Sequence, residues 1–339
     1  MASARRPRFA WRFQITPWSD FWDSFRPATN SRGRRASESL VAPPSPCGWS
    51  TPNTETGLGI LLLDAAEREF EVLHCLGANQ DAASYYVRRG YEQCERLTRY
   101  VGTLSSAGYA RLCASPPNPD ALRNWESELV DNEARVPTRP SPEDLARLWN
   151  AATIVDNRCL VQGLHRNAEF WRWRYIQSHD FEYVFFGRPP ETSVVVARVE
   201  KVLAREESVL RLIEIVPTRS SSWHTEDLEL LTLLRRVFTW ARDQGCVAVD
   251  FQSTGTLLQP TLVASGLRPQ SWPIESDPLT SLAPLFQPLT IDKPPINVFW
   301  KIAGQSTTGG GSEPLDWCFV KSDGDMDRPN VLTEVELCT

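Results

Sequence analysis

Residues 182–187 (EYVFFG), 193–202 (SVVVARVEKV), 208–216 (SVLRLIEIV) and 246–251 (CVAVDF) decide the fold class. Each is a short β-branched and aromatic run bounded by turn residues, the pattern of a strand buried on one or both faces. Arg188-Pro189-Pro190-Glu191 separates the first two, which predicts a β-hairpin. Between the third and fourth lies the clearest helix, 225–244. It carries Leu228, Leu231, Leu234, Val237, Phe238 and Ala241 on one stripe and is closed by Gly245. A further helix ended by Gly266 and late strands at 296–302 and 316–320 follow. Antiparallel strands, then strand–helix–strand–helix and closing strands, predict a mixed α/β fold with a central sheet flanked by helices.

Working outward, Ser141-Pro142-Glu143-Asp144 opens a helix with a capping serine, proline at the first helical position and acids facing the dipole. Upstream, prolines recur from Ala114 to Pro142 around a short amphipathic stretch, Leu122 to Val130, which reads as a linker with at most one helix. Ordered patterning begins at Gly57. A helix is expected over 60–69, a strand over 70–76, a helix from Asn79 to Arg89 stopped by Gly90, and a strand or strand pair over 91–102. The domain expectation is therefore a leader at 1–56, a first module at 57–112, a Pro-rich linker at 113–140, a second domain at 141–330 and a tail at 331–339.

Composition excludes several classes. Of 339 residues, 41% are apolar and 10% aromatic, enough for real cores and too many for wholesale disorder. A formal charge of −6 argues against a nucleic-acid binder, which needs a basic surface to neutralise phosphate. No uncharged apolar run approaches the roughly 20 residues that a membrane span requires. The eight cysteines show no CxxC and no Cys/His cluster at metal spacing, and residues 1–30 lack the apolar core of a secretory signal. Reduced thiols, no metal and a cytoplasmic location are expected. Only Lys201, Lys293, Lys301 and Lys321 are lysines, a skew towards arginine that reads as GC-rich coding and a bacterial source. The Arg-rich, acid-poor start, with Asp20 and Asp23 against eight arginines in residues 1–35, reads as a solvated tail.

Residues 57–91 carry chemistry. Gly57-Leu58-Gly59 precedes a helix, so its amides can approach a pyrophosphate at the helix N-terminus. Asn79, Ala82, Tyr86, Gly90 and Tyr91 follow with the spacing N-x2-A-x3-Y-x3-G-[FY]. This stretch resembles the second half of the GNAT N-acetyltransferase superfamily. The resemblance implies that Gly57, Leu58 and Gly59 hold the pyrophosphate of acetyl-CoA or another acyl-CoA. It implies too that Asn79 lies along the cofactor arm and that Tyr86 protonates the departing thiolate. In that family several strands and two helices come before the glycine loop, including the strand that splays from its neighbour to admit the pantetheine arm. Residues 1–56 do not supply them, so the first module reads as truncated or completed by another segment. Thr54 stands where the family places Gln or Arg.

The second unit resembles GNAT-like proteins of the bacterial polysaccharide and envelope type. The resemblance rests on Asn167-Ala168-Glu169-Phe170-Trp171-Arg172-Trp173-Arg174-Tyr175, on Asp316-Trp317-Cys318-Phe319 and on the run from Asp323 to Asn330. It implies an acyltransferase moving an acyl group from acyl-CoA to an amine on a sugar, amino acid or envelope precursor. Glu214 stands mid-strand where some members place a base acting through water. In place of a second glycine loop stands Thr218-Arg219-Ser220-Ser221-Ser222-Trp223-His224, a polar loop that caps the next helix. The alternative, from a different class, is a catalytically degenerate GNAT-like binding or scaffold protein. A third reading, aminoacyl transfer onto peptidoglycan precursors, shares the architecture. Asp323, Asp325, Asp327 and Glu334 stand at EF-hand positions 1, 3, 5 and 12, but Arg328 replaces the glycine that loop requires.

Overall fold

A computed structural model describes residues 56–70, 72–129, 131, 133–155, 158–159, 161–178, 181–202, 205–254, 256–283, 296–302 and 317–324. The leader and tail, and with them Asp325, Asp327 and Glu334, lie outside the described residues. The chain divides into two compact units, one ending at Glu71 and one beginning at Val72. In the first, the described element is helix α1 (Thr56–Glu69).

The second unit begins with β1 (Val72–Leu76), α2 (Gln80–Arg88), β2 (Glu92–Cys94) and β3 (Thr98–Thr103). Helices α3 (Ser106–Arg111), α4 (Pro119–Leu129) and α5 (Pro142–Thr153) follow. A two-residue ribbon, β4 (Ile154–Val155) with β5 (Arg158–Cys159), leads to α6 (Ala168–Trp171), which continues as a π-helical turn, Arg172–Ile176. Then come β6 (Val184–Phe186), β7 (Val194–Lys201), β8 (Ser208–Val216), α7 (Leu228–Asp243), β9 (Cys246–Ser253), α8 (Gln259–Ala264), β10 (Arg268–Pro269) and β11 (Val298–Ile302). The fold is mixed α/β, as the sequence indicates. Among the described residues no helix is long and apolar enough to cross a membrane.

Local signals explain the helix ends. Ser141 accepts from the Asp144 amide, Asn79 from Ala82 and Asp227 from Glu229 and Leu230, each satisfying amides that a first turn leaves orphaned. Gly90, Gly245 and Gly266 follow three of the helices at positive φ, where a side chain is strained. The predicted hairpin forms: β6 and β7 pair antiparallel. The stretch over 316–320 makes isolated bridges rather than a strand, Trp317 to Gln162 and Val320 to Ser253.

Strand order departs from the modular expectation. The six-stranded sheet runs β10-β3-β9-β8-β7-β6, and a three-stranded sheet runs β1-β11-β2. So β3, expected in the first module, lies antiparallel between β9 and β10. Conversely β11, from the far end of the second, lies antiparallel between β1 and β2. Two strand–helix–strand units (β1-α2-β2 and β9-α8-β10) each leave a gap, and each gap is filled by a strand from the other half. The 113–140 stretch therefore does not separate two sheets. Within it, α4 buries Leu122, Trp125 and Leu129, and the Trp125 indole N–H donates to the Gly266 carbonyl at 2.6 Å. Where residues 91–102 were expected as one strand or pair, β2 and β3 belong to different sheets.

Candidate site at the divergence of β8 and β9

Strands β8 and β9 run parallel, paired from Ser208↔Cys246 to Arg211↔Asp250. Beyond that point β8 continues to Val216 and β9 to Ser253 without pairing, so the two diverge. A bulge sits at the same place. Ala197 faces Leu212 and Val196 faces Glu214, leaving Ile213 as the extra residue of β8. Strand side chains alternate, so without the bulge Glu214 would lie on the face of Leu210 and Leu212. With it, Glu214 shares the face of Arg211.

That face holds charge from four strands. Arg99 (β3) stands opposite Gln252 (β9), and Asp250 (β9) opposite Arg211 (β8), which itself faces Arg198 (β7). Arg99 binds Asp250 with Nε at 3.1 Å and donates from Nη1 to the carbonyls of Leu282 and Ala283. Arg198 and Arg211 each reach Glu200 Oε2 at 3.1 Å. Burial pushes the Asp250 carboxyl up, but Arg99, Arg211 and Lys321 together hold it below the ordinary range.

Glu214 belongs to the second half of this array, and its side chain is fully buried. Arg166 donates from Nε to Glu214 Oε2 at 2.8 Å and from Nη2 to both Asp323 oxygens at 2.9 and 3.0 Å. Its guanidinium lies 4.2 Å from the Trp149 ring centroid. Tyr175 donates to Glu214 Oε2 at 3.1 Å and meets Ser322 Oγ at 2.7 Å. Glu214 Oε1 is buried with no hydrogen-bond partner among the described residues. Burial raises the Glu214 carboxyl to about 7; Arg166 pulls it down and Asp323 pushes it up. Burial also raises the Tyr175 phenol well above its ordinary value, and Glu214 beside it adds to the rise.

The gap between the strands is filled. Ser253 carries Thr98 on its β3 edge, so its bridge to Val320 lies on the edge that β8 has left. Thr254 N–H donates to the Phe319 carbonyl at 2.9 Å, and the Phe319 N–H returns a bond to Thr254 Oγ1 at 2.9 Å. Trp317 and Phe319 pack with Leu76, Leu97, Val298 and Trp300 in one apolar cluster. Residues 317–324 are therefore part of the core, bonded to β9 on one side and through Arg166 and Tyr175 to Glu214 on the other.

The polar loop after β8 is internally satisfied as well. Ser222 bonds the Asp227 carboxylate, and Asp227 caps α7. Glu229 accepts from Ser193 Oγ at 2.6 Å and Thr218 Oγ1 at 2.9 Å. Two carboxylates stand at the positive end of α7, where a phosphate would meet like charge. An open cleft nearby is lined by His224, Glu226, Thr256 and Gln259 among others.

The other candidates lie elsewhere. Gly57, Leu58 and Gly59 form the first turn of α1 and not a loop before it, because the helix starts at Thr56. Asn79 is committed to capping α2. Tyr86 stacks on Phe299 with ring centroids 5.4 Å apart and meets Tyr91 at a tilt at 4.9 Å, beside the three-stranded sheet. Tyr86 and Glu214 thus lie by different sheets, and sequence reasoning missed Arg166 and Tyr175, which bond Glu214, and Asp323 and Ser322, which bond those two in turn. A signal was present: single charges inside apolar strand runs (Arg198, Arg211, Glu214, Asp250) mark a buried ionic face. Among the described residues no group of His, Cys, Asp and Glu is arranged to hold a metal ion.

No protein-family model matches the chain, and no curated protein does either. Among solved structures it is similar to a conserved protein of unknown function from Enterococcus faecalis V583, described as a probable N-acyltransferase. The TM-score is 0.39 at 10% identity, over 76% of this chain and 53% of that one. The chain thus spans about half the length of that protein. A likeness of this size leaves fold family and activity to be argued from this chain's own residues.

Proposed function

We propose that the chain is a GNAT-like tandem protein acting as a binding or scaffold component, its 141–330 half having closed the slot an acyl-CoA would use. One observation carries this reading: residues 317–324 occupy the gap between β8 and β9 as core. A pantetheine arm needs backbone at such a divergence, and just past β9 the Thr254 N–H is already bonded to Phe319. The acidic cap of α7 supports the same reading, since Asp227 and Glu229 oppose a pyrophosphate.

A second reading is favoured by Glu214. A carboxyl raised to about 7 beside the β8 bulge has the proton affinity of a general base at neutral pH. On that reading the protein is an N-acyltransferase taking an acyl group from acetyl-CoA or another acyl-CoA to an amine acceptor. Glu214 then receives the amine proton and passes it to the departing thiolate; Tyr86, beside the other sheet, takes no part in that step. Residues 317–324 must leave the gap for the acceptor to reach Glu214.

Calorimetric titration of acetyl-CoA into the full chain separates the two. The scaffold reading expects no binding heat from the wild type, Gly59→Glu or Tyr86→Phe proteins. Heat abolished by Gly59→Glu and retained by Tyr86→Phe instead ties acyl-CoA binding to Gly59 and favours transfer.

A further inference from the structure

Residues 317–324 are held in two different ways. Over 317–320 the ties are main-chain bonds and apolar packing. The Cys318 N–H donates to the Gln162 carbonyl at 2.7 Å, the Phe319 carbonyl accepts from Thr254, and Trp317 and Phe319 sit in the apolar cluster. Over 321–324 the ties run through polar side chains. Arg166 grips the Asp323 carboxylate, Tyr175 meets Ser322 Oγ, and Arg174 donates to the Gly324 carbonyl at 3.2 Å. His74 donates from Nε2 to the Asp323 carbonyl at 2.7 Å. Between these ties Lys321–Asp323 is a single 3-10 turn, closed by the Asp323 N–H on the Val320 carbonyl at 3.0 Å.

The grip depends on charge. Arg166 is one guanidinium between two carboxylates, Glu214 and Asp323, and none of the three side chains has any exposure. The other charged or titratable groups around Glu214 are engaged elsewhere. Arg211 and Lys321 hold Asp250 with Arg99, Arg174 is on Gly324, and burial pushes the Cys318 thiol up so that it stays protonated. A second buried anion therefore goes unbalanced, and Glu214 Oε1 has no partner among the described residues to solvate it. Burial accordingly raises the Glu214 carboxyl to about 7.

We propose that residues 321–324 are a strap locked by a proton. Closed, the strap keeps one proton on Glu214 beside Asp323. Opening unwinds the turn from Val320 onward, carries Asp323 into water and releases the Glu214 proton to solvent, after which Arg166 pairs with the ionised Glu214 alone. Residues 317–320 stay in place. Opening bares Glu214 and Tyr175 to water and solutes, and the inference rests on neither reading of the function. Its sign follows from linkage. Glu214 titrates at about 7 when covered and returns towards an ordinary 4.5 when bared. The open form therefore gains up to about tenfold per pH unit between those values and levels off above the higher one.

The test is residue-resolved amide exchange on the full chain at pH 5 and pH 7, each amide corrected for its intrinsic rate. The Asp323 N–H reports the strap, and the Cys318 N–H reports the part that stays. Between the two pH values the Asp323 amide loses about tenfold or more of its protection while the Cys318 amide keeps its own. Glu214→Gln, which has no proton to release, removes the loss. Asp323→Asn, which takes away the second carboxylate, shrinks it. Equal protection of Asp323 at both pH values overturns the proposal. So does an equal loss at Cys318, which means that the fold opens as a whole, and so does a loss that persists undiminished in Glu214→Gln.

Discussion

Arg166 serves two carboxylates from a fully buried position. Removing it leaves Glu214 and Asp323 facing each other without a counter-charge, so Arg166→Met is expected to cost about 3–5 kcal/mol, read as a lower urea midpoint at neutral pH. Glu214 carries its own pH signature. Its folded carboxyl sits at about 7 against an ordinary 4.5. A raised carboxyl binds its proton more tightly in the native state, so its contribution is fully present below 4.5 and is lost as pH rises through 7. Unfolding free energy measured between pH 4.5 and 7 should fall with pH in the wild type and fall less in Glu214→Gln. An unchanged slope in that variant would show that another group sets the pH dependence.

At the scale of elements, α3 lies so close to β9 that a Cβ on Gly108 would stand 2.3 Å from Val247 Cγ1. Gly108→Ala is expected to cost about 1–3 kcal/mol of overpacking, and Val247→Ala added to it should restore part of the loss, a coupling visible in a double-mutant cycle. Elements of this kind were largely legible in the sequence. Ser141-Pro142, Asn79 with Gly90, and the stripe of α7 are local signals, fixed by residues within a few positions of one another. The candidate site was legible only at Glu214. Asp323 reaches Arg166 across 157 residues, and Ser322 reaches Tyr175 across 147. No periodicity encodes such meetings. The bulge at Ile213 was hidden for a related reason: an alternating apolar run reads alike with or without one extra residue. Gly57-Leu58-Gly59 misled because glycines that suit a loop are also tolerated in a helix's first turn, where amides lack acceptors in any case.

For the whole molecule, alternation identifies strands but says nothing of whom they pair with, and the exchange of β3 and β11 escaped the sequence on that account. It carries a prediction. Cutting the chain at residue 140 separates β3 from β9 and β10, and β11 from β1 and β2. Neither 72–140 nor 141–339 alone should show a cooperative thermal transition, and mixing or co-expressing the two should recover one. A fragment that melts cooperatively by itself refutes the mutual dependence. The same arrangement puts folding on a timetable set by the ribosome. About two hundred residues separate β2 from β11, and at about 5–20 residues per second β11 arrives some 10–40 seconds after its neighbours. Through that wait the facing edges of β1 and β2 lack β11, so the nascent chain is a client for chaperones until that strand is delivered.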